Sequence, residues 1–336
     1  MLDASSPADR VIPKTGPQVS PEALSGTSPQ VSSQRLPRAS LSVSNQALAQ
    51  SPEFQRALTA QGHAAITLPE LNNALVTTRR LTGGLTLAMI NRAELPQPAD
   101  LPRILRANGL GSTPMIVSPE HPCPDLGQTG ALPLVSPTCV ARLDLAKTRA
   151  ERKSDLQQKW RNRLHRSQSN GLRVSRQNMP LDATHWLFAA DQAQQLQRRY
   201  RSWPIALTLA YARENKGQAK LFQAFDGKDG VAAILILRHG RAATYHIAHA
   251  TPAGKALSAH NLLLWEASEW LAAKGCQQLD LGLINTEEAP GLARFKLGTG
   301  AHLAQLGGTW LLWPPLGRLL SPLARWDRTL MSATSR

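Results

Sequence analysis

The 336 residues carry 38 Lys and Arg against 23 Asp and Glu, a formal net charge of +15, and 42% are hydrophobic. That length accommodates one large domain or two smaller ones, and so basic a surface attracts polyanions such as RNA, DNA, anionic lipid or phosphorylated metabolites. The composition argues against a transmembrane helix, a secretory signal and a disulfide framework. No run of about 18 apolar residues occurs, no basic start precedes an apolar run, and Cys123, Cys139 and Cys276 are widely spaced and outside any CxxC pair. A reducing, cytoplasmic setting is the expectation.

The first 44 residues contain ten Ser and six Pro. They offer too little apolar surface to offset the entropy of ordering, so disorder is expected over residues 1–50. Residues 51–146 read as a mixed α/β half with weak signals. A short helix is predicted over Pro52–Ala60, strands over Leu75–Arg80 and Leu85–Ile90 around the Gly83-Gly84 turn, and further strands over Pro114–Ser118 and Thr138–Leu145.

Residues 147–312 read more clearly. Leu156, Trp160 and Leu164 recur every four residues and predict one helix over Lys147–Gln168, ended by Asn170-Gly171. Between Lys147 and Arg176 there are ten basic and two acidic residues, and Arg152, Lys159, Arg163 and Arg166 lie beside the apolar stripe as candidate phosphate contacts. Asp182 is placed to cap a helix reaching about Tyr200, and a second helix follows Pro204. Strands over Ala219–Phe225, Val231–Arg238 and Arg241–His249, joined by tight-turn residues, predict an antiparallel meander. Ser258 is the expected N-cap of a helix over Ala259–Lys274, closed by Gly275. Then come a strand over Leu279–Ile284, a helix over Ala289–Lys296, and strands over Leu303–Leu306 and Thr309–Trp313. Beyond, residues 313–336 form a basic tail. Leu316, Leu319, Leu320, Leu323, Trp326 and Leu330 share one helical stripe there, compatible with packing on the protein or with peripheral contact to an anionic membrane.

Four blocks in this half resemble FemAB-like proteins of the GNAT acyltransferase superfamily. They are Lys159-Trp160-Arg161-Asn162-Arg163-Leu164, the run Ser258 to Lys274, Asp280-Leu281-Gly282, and Gly291-Leu292-Ala293-Arg294-Phe295-Lys296-Leu297-Gly298. In the third block Leu283 stands where the family has a second Gly. The resemblance implies an α/β (α+β) GNAT fold, a mixed central sheet flanked by helices. It further implies two tandem GNAT-like halves, the second better preserved. It implies acyl or aminoacyl transfer to an amine, in some relatives a cell-wall precursor, from aminoacyl-tRNA or acyl-CoA as co-substrate. It also implies that the Phe295-Lys296 pair is functional, with Lys296 stabilising an oxyanion.

The residues themselves leave alternatives. The loop after His249 has Gly254 but no G-x-G pair, so the usual phosphate nest of an acetyl-CoA site is degraded. Gly254, Lys255 and Ser258 are candidate phosphate ligands, or a plain turn and helix cap. Arg294 is a second candidate donor contact, or a solvated helix residue. Lys296 alone reads as a surface lysine at a helix end. Asp280 is a candidate general base, or a cap on local backbone. His246 and His249, three apart on a strand, are expected on opposite faces, which disfavours a shared metal, so no metal is expected. A non-catalytic RNA- or membrane-binding protein on the same fold is the rival class. No stable protein partner is inferable.

Overall fold

The computed structural model describes residues 45–313. The first half supplies helix α1 (Pro52–Ala60), strands β1 (Ala64–Leu68), β2 (Ala74–Arg80) and β3 (Thr86–Ala93), helix α2 (Leu101–Ala107), and strands β4 (Met115–Pro119), β5 (Leu132–Val135) and β6 (Cys139–Asp144). Helices α3 (Arg149–Asp155) and α4 (Gln158–Ser169), strand β7 (Arg173–Asn178), and helices α5 (Trp186–Arg198) and α6 (Ile205–Glu214) follow. The meander β8 (Ala219–Asp226), β9 (Asp229–His239) and β10 (Ala242–Ala250) leads into helices α7 (Pro252–Ala256) and α8 (Ala259–Ala273). Strand β11 (Gln278–Ile284), helix α9 (Pro290–Leu297) and strands β12 (His302–Gln305) and β13 (Thr309–Leu312) complete the described chain.

These strands build two mixed sheets, one ordered β1-β2-β3-β4-β13-β5 and the other β12-β6-β11-β10-β9-β8-β7. The expected division at residues 146 and 147 does not separate them. Strand β6 precedes that point yet pairs antiparallel with both β11 and β12. Strand β13 comes from the far end of the described chain yet sits between β4 and β5. The halves are tandem in architecture and each lends the other a strand.

The larger sheet is covered on both faces, which explains the apolar run Val231 to Leu237. Ala232, Ile234 and Ile236 face α4 and α8, where Leu156, Trp160, Leu164, Leu263 and Trp265 join one core. Ala233, Leu235 and Leu237 face α1, α5 and α6, packing on Ala57, Phe188 and Tyr211. The six-stranded sheet has its own core under α2, built from Leu101, Ile104 and Leu105 against Val76, Ile90 and Val117.

Several local expectations change. The predicted helix over Lys147–Gln168 is two helices, because α3 stops at Leu156 and α4 restarts after Gln157. The side chain of Thr148 and that of Glu151 cap α3 reciprocally, a start signal the stripe concealed. Asp182 is not the cap of α5: its carboxylate accepts from the amide and hydroxyl of Thr184, and His185 caps the helix. Folded sequence begins before Ser51. Leu48 is buried, and the Gln50 amide bonds the backbone of Leu75 (2.7 Å) and Asn91 (2.7 Å). The expected disorder of residues 1–44 and the amphipathic stripe of residues 315–330 lie outside the described residues. Among the described helices none is long and apolar enough to cross a membrane.

Candidate active site

Near the middle of the seven-stranded sheet two parallel strands part. Strands β10 and β11 pair from Ala242–Gln278 to Thr244–Asp280 and no further, although they run on to Ala250 and Ile284. Both are irregular at that point, β10 between Tyr245 and Ile247 and β11 between Asp280 and Leu283. Gly282 makes the β11 bulge at φ +80°, a conformation that side chains resist. The chain leaving β10 passes through α7 into α8, so the helix start and the parted strands belong to one end of the sheet.

Lys296 of α9 reaches into this bulge. It is 7% exposed, and its Nζ donates to the Leu283 carbonyl at 2.9 Å. A side chain on Gly282 would stand 3.5 Å from that Nζ, so the absent Cβ keeps one flank of the ammonium open. Burial lowers the Lys296 pKa to about 8, against the opposing pull of the Asp280 charge. The reading of Lys296 as a solvated lysine is thus corrected: its helix presents it inward. Beside it, Phe295 is a packing residue. Its ring lies 6.2 Å from Trp160 and 6.2 Å from His260, and its carbonyl accepts from the Trp160 indole at 3.1 Å.

Asp280 is committed on both oxygens. Oδ1 accepts from the Gly282 amide (2.7 Å) and Oδ2 from Arg92 Nη1 (2.7 Å). A carboxylate tied to local backbone and to a guanidinium is an anchor for the bulge and a poor proton acceptor, which corrects the general-base reading. Arg92 comes from the first half, where no chemistry was expected. It sits on β3 at φ +57° and also grips Glu120 with two hydrogen bonds of 2.8 and 3.0 Å. Burial alone would lower its pKa, but the Glu120 bond and the charges of Asp280 and Glu120 outweigh it and hold the guanidinium charged. Arg142 of β6 pairs with Glu120 from the other side. The run Arg142, Glu120, Arg92, Asp280 thus links β6, β3 and β11. No spacing in the sequence could reveal it, since Arg92 and Asp280 are 188 residues apart.

The second feature is a cationic cleft of about 510 Å³ lined by Asn162, Arg163, Arg166, Lys255, Ala256 and Ser258. It unites two sets predicted separately, the α4 stripe and the loop after β10. Within the loop, Ser258 holds the expected N-cap position of α8, but in the left-handed region at φ +57° and without a side-chain capping bond, and Thr251 caps the unforeseen α7. Gly254 is a packing glycine, since a Cβ there would stand 2.2 Å from the Val231 carbonyl oxygen. Its amide donates to the Thr251 hydroxyl at 3.1 Å and is not free to hold a phosphate. Arg152 also leaves the phosphate set. It is buried and pairs with Glu269 at 2.6 Å, while Lys159 and Arg294 remain exposed outside the cleft lining.

The histidines depart from expectation too. The β10 bulge spoils the alternation, so both His246 and His249 turn toward α5 and α6. His246 bonds Thr208 at 3.0 Å and packs 4.8 Å from Trp203, and His249 meets Trp186 at 6.1 Å. Burial lowers the pKa of His246 to about 4, and also those of His239 and His260 to about 4. All three are neutral near pH 7.

Residues 149–297 match the acetyltransferase (GNAT) domain family. A comparison with curated proteins gives no match. The fold is similar to the crystal structure of FemX, with a TM-score of 0.64 at 12% identity over 82% of this chain and 95% of that one. It is also similar to a conserved protein of unknown function from Bacteroides thetaiotaomicron, with a TM-score of 0.50 at 11% identity over 78% of this chain and 90% of that one. Residues 149–297 are accordingly a match to the GNAT acetyltransferase domain, set in a chain whose fold is similar to that of FemX.

Proposed function

We propose that this protein transfers an acyl or aminoacyl group from a phosphate-bearing donor directly to an amine, with charged tRNA as the donor. The observation that carries the reading is Lys296: a buried ammonium with one carbonyl partner, reaching from α9 to the point where β10 and β11 separate. The cleft holds donor phosphates through Arg163, Arg166 and Lys255. The amine attacks the acyl carbon, a C–N bond forms, and the carbonyl electrons move onto oxygen. One of the two N–H groups Lys296 does not spend on Leu283 donates to that oxyanion, worth about 3–4 kcal/mol if it acts as one strong oxyanion donor. Collapse breaks the bond to the donor, whose departing oxygen takes up the proton the amine releases. Holding both substrates removes much of the entropic barrier.

The choice of tRNA over acyl-CoA rests on the loop after β10. Its Gly254 is consumed in packing against Val231 and the rest of the turn is wound into α7, so the successive free amides of a pyrophosphate nest are missing there. The test supplies aminoacyl-tRNA and acetyl-CoA in parallel to amine acceptors, with Arg163→Gln/Arg166→Gln as the comparison protein. Transfer from aminoacyl-tRNA with a KM raised about tenfold or more in the variant is the expected result. Transfer from acetyl-CoA alone would replace the donor, and a KM unchanged in the variant would remove the cleft from donor binding.

A further inference from the structure

At the other end of α8 stands a cation cluster that the site above does not use. Trp270, half-buried, packs edge-on to Phe222 at 5.9 Å. Three cations crowd its indole: Arg176 of β7 at 5.2 Å, Arg238 of β9 at 5.3 Å and Lys220 of β8 at 5.7 Å from the ring centroid. Lys274 follows directly on the end of α8, and Arg173 lies 4.2 Å over the neighbouring Phe225 ring.

Like charges so gathered repel, and the molecule answers them with no carboxylate. Among the described residues none of the five makes an ion pair, and Glu269, next to Trp270, is already taken by Arg149 and Arg152. The Nε of Arg238 is buried without a partner. Lys220 has its pKa lowered by burial first and then by Arg176, Arg238 and Lys274. Cation–π contact fixes the guanidinium planes against one aromatic platform. An arrangement that accepts this repulsion is completed by an external anion.

We propose that the Arg176–Lys220–Arg238–Lys274 cluster around Trp270 is a second contact surface for the phosphate backbone of an RNA. The proposal rests on the reading of tRNA as donor and adds a surface to it. The separation favours a polymer over a small anion. Helix α8 has 15 residues, about 22 Å at 1.5 Å per residue, with the cleft at its start and the cluster at its end. Both lie on the face of the larger sheet that carries α4 and α8, so one extended polyanion can reach both. A lipid surface is disfavoured because none of the exposed large apolar side chains comes from β7, β8, β9 or α8, leaving nothing to insert beside the cations.

The experiment measures binding of the full chain to deacylated tRNA across a salt series, beside vesicles of phosphatidylglycerol. Arg176→Gln/Lys220→Gln/Arg238→Gln is expected to weaken tRNA binding at least about tenfold and to flatten the log–log salt slope by about 2–3. Arg238 is half-buried, so Arg176→Gln/Lys274→Gln, at two exposed positions, is measured alongside, with an expected slope change of about 1–2. An unchanged slope in both variants, while Arg163→Gln/Arg166→Gln weakens binding, overturns the second surface and leaves the donor reading standing. Wild-type protein that binds no tRNA at low salt overturns both. Binding to vesicles and not to tRNA assigns the cluster to lipid and overturns the proposal as stated.

Discussion

Replacing Lys296 by Met should make the protein more stable while it loses activity. The ammonium has an ordinary pKa of 10.5 and one of about 8 in the fold. At 1.36 kcal/mol per pH unit, keeping it charged inside costs about 3 kcal/mol. Met removes that cost at similar volume, and leaves the Leu283 carbonyl without its donor, a loss of about 1 kcal/mol. The net gain is about 2 kcal/mol, or about 3–4 °C in melting temperature for a chain of this size. The sign depends on pH. Below about 8 the wild type carries the whole cost. As pH rises from about 8 to 10.5 the folded lysine is already neutral while the unfolded one still binds its proton, so the wild type gains stability and the advantage of Met disappears. The assay is thermal or urea unfolding of both proteins at pH 7 and pH 10.5, with transfer rates at pH 7. Transfer should fall at least about tenfold in the variant, and wild-type activity should decline above pH 8 as Lys296 loses its proton. A Met variant that is less stable at pH 7, or one that keeps its turnover, would refute the argument that a costly buried charge is retained for chemistry.

Three further outcomes follow from particular contacts. Arg92→Met strips Asp280 of its guanidinium and leaves Glu120 with Arg142 alone, and should cost about 3–5 kcal/mol in urea unfolding, whereas loss below about 1 kcal/mol would show the pairs to be incidental. Gly254→Ala pushes a Cβ to within 2.2 Å of the Val231 carbonyl and should destabilise the fold by about 1–3 kcal/mol, because backbone must shift on one side or the other. His239, His246 and His260 are neutral in the fold with pKa values near 4, so their contribution to stability should be constant above about pH 6.5 and fall steeply between 6.5 and 4, as the unfolded chain takes up protons first. Each contributes up to about 1.4 kcal/mol per pH unit, and the His246→Gln protein should show a visibly shallower acid slope.

What could be read from the sequence was what repeats locally. The strands β8, β9 and β10 with the tight turns between them, the apolar surface of α8 and the stripe Leu156, Trp160, Leu164 each declare themselves within a dozen residues, and the four motif blocks located Lys296 and the cleft arginines. What escaped was set by distance or by single residues. Extended backbone at Leu156 and Gln157 splits a helix that the stripe continued straight through. The packing of Gly254 depends on a neighbouring strand. One bulge at His246 turned two histidines to the same face, against the parity that spacing alone dictates. Arg152 shows the commonest confusion: an arginine beside an apolar stripe can be the most exposed residue of a helix or, as here, 5% exposed against a glutamate from another one.

The exchange of strands has a consequence for how the chain is made. Strand β13 occupies an interior position of the six-stranded sheet, yet it is the last described strand to leave the ribosome. Until it arrives, β4 and β5 have open hydrogen-bonding edges and no neighbour between them. The first half therefore cannot finish folding during its own synthesis, and must wait for almost the whole chain while sheet edges that invite pairing with other chains stay exposed. Severing the chain at residue 146 would leave two fragments, each missing a strand the other holds. They should fold only when mixed, and then as one cooperative unit.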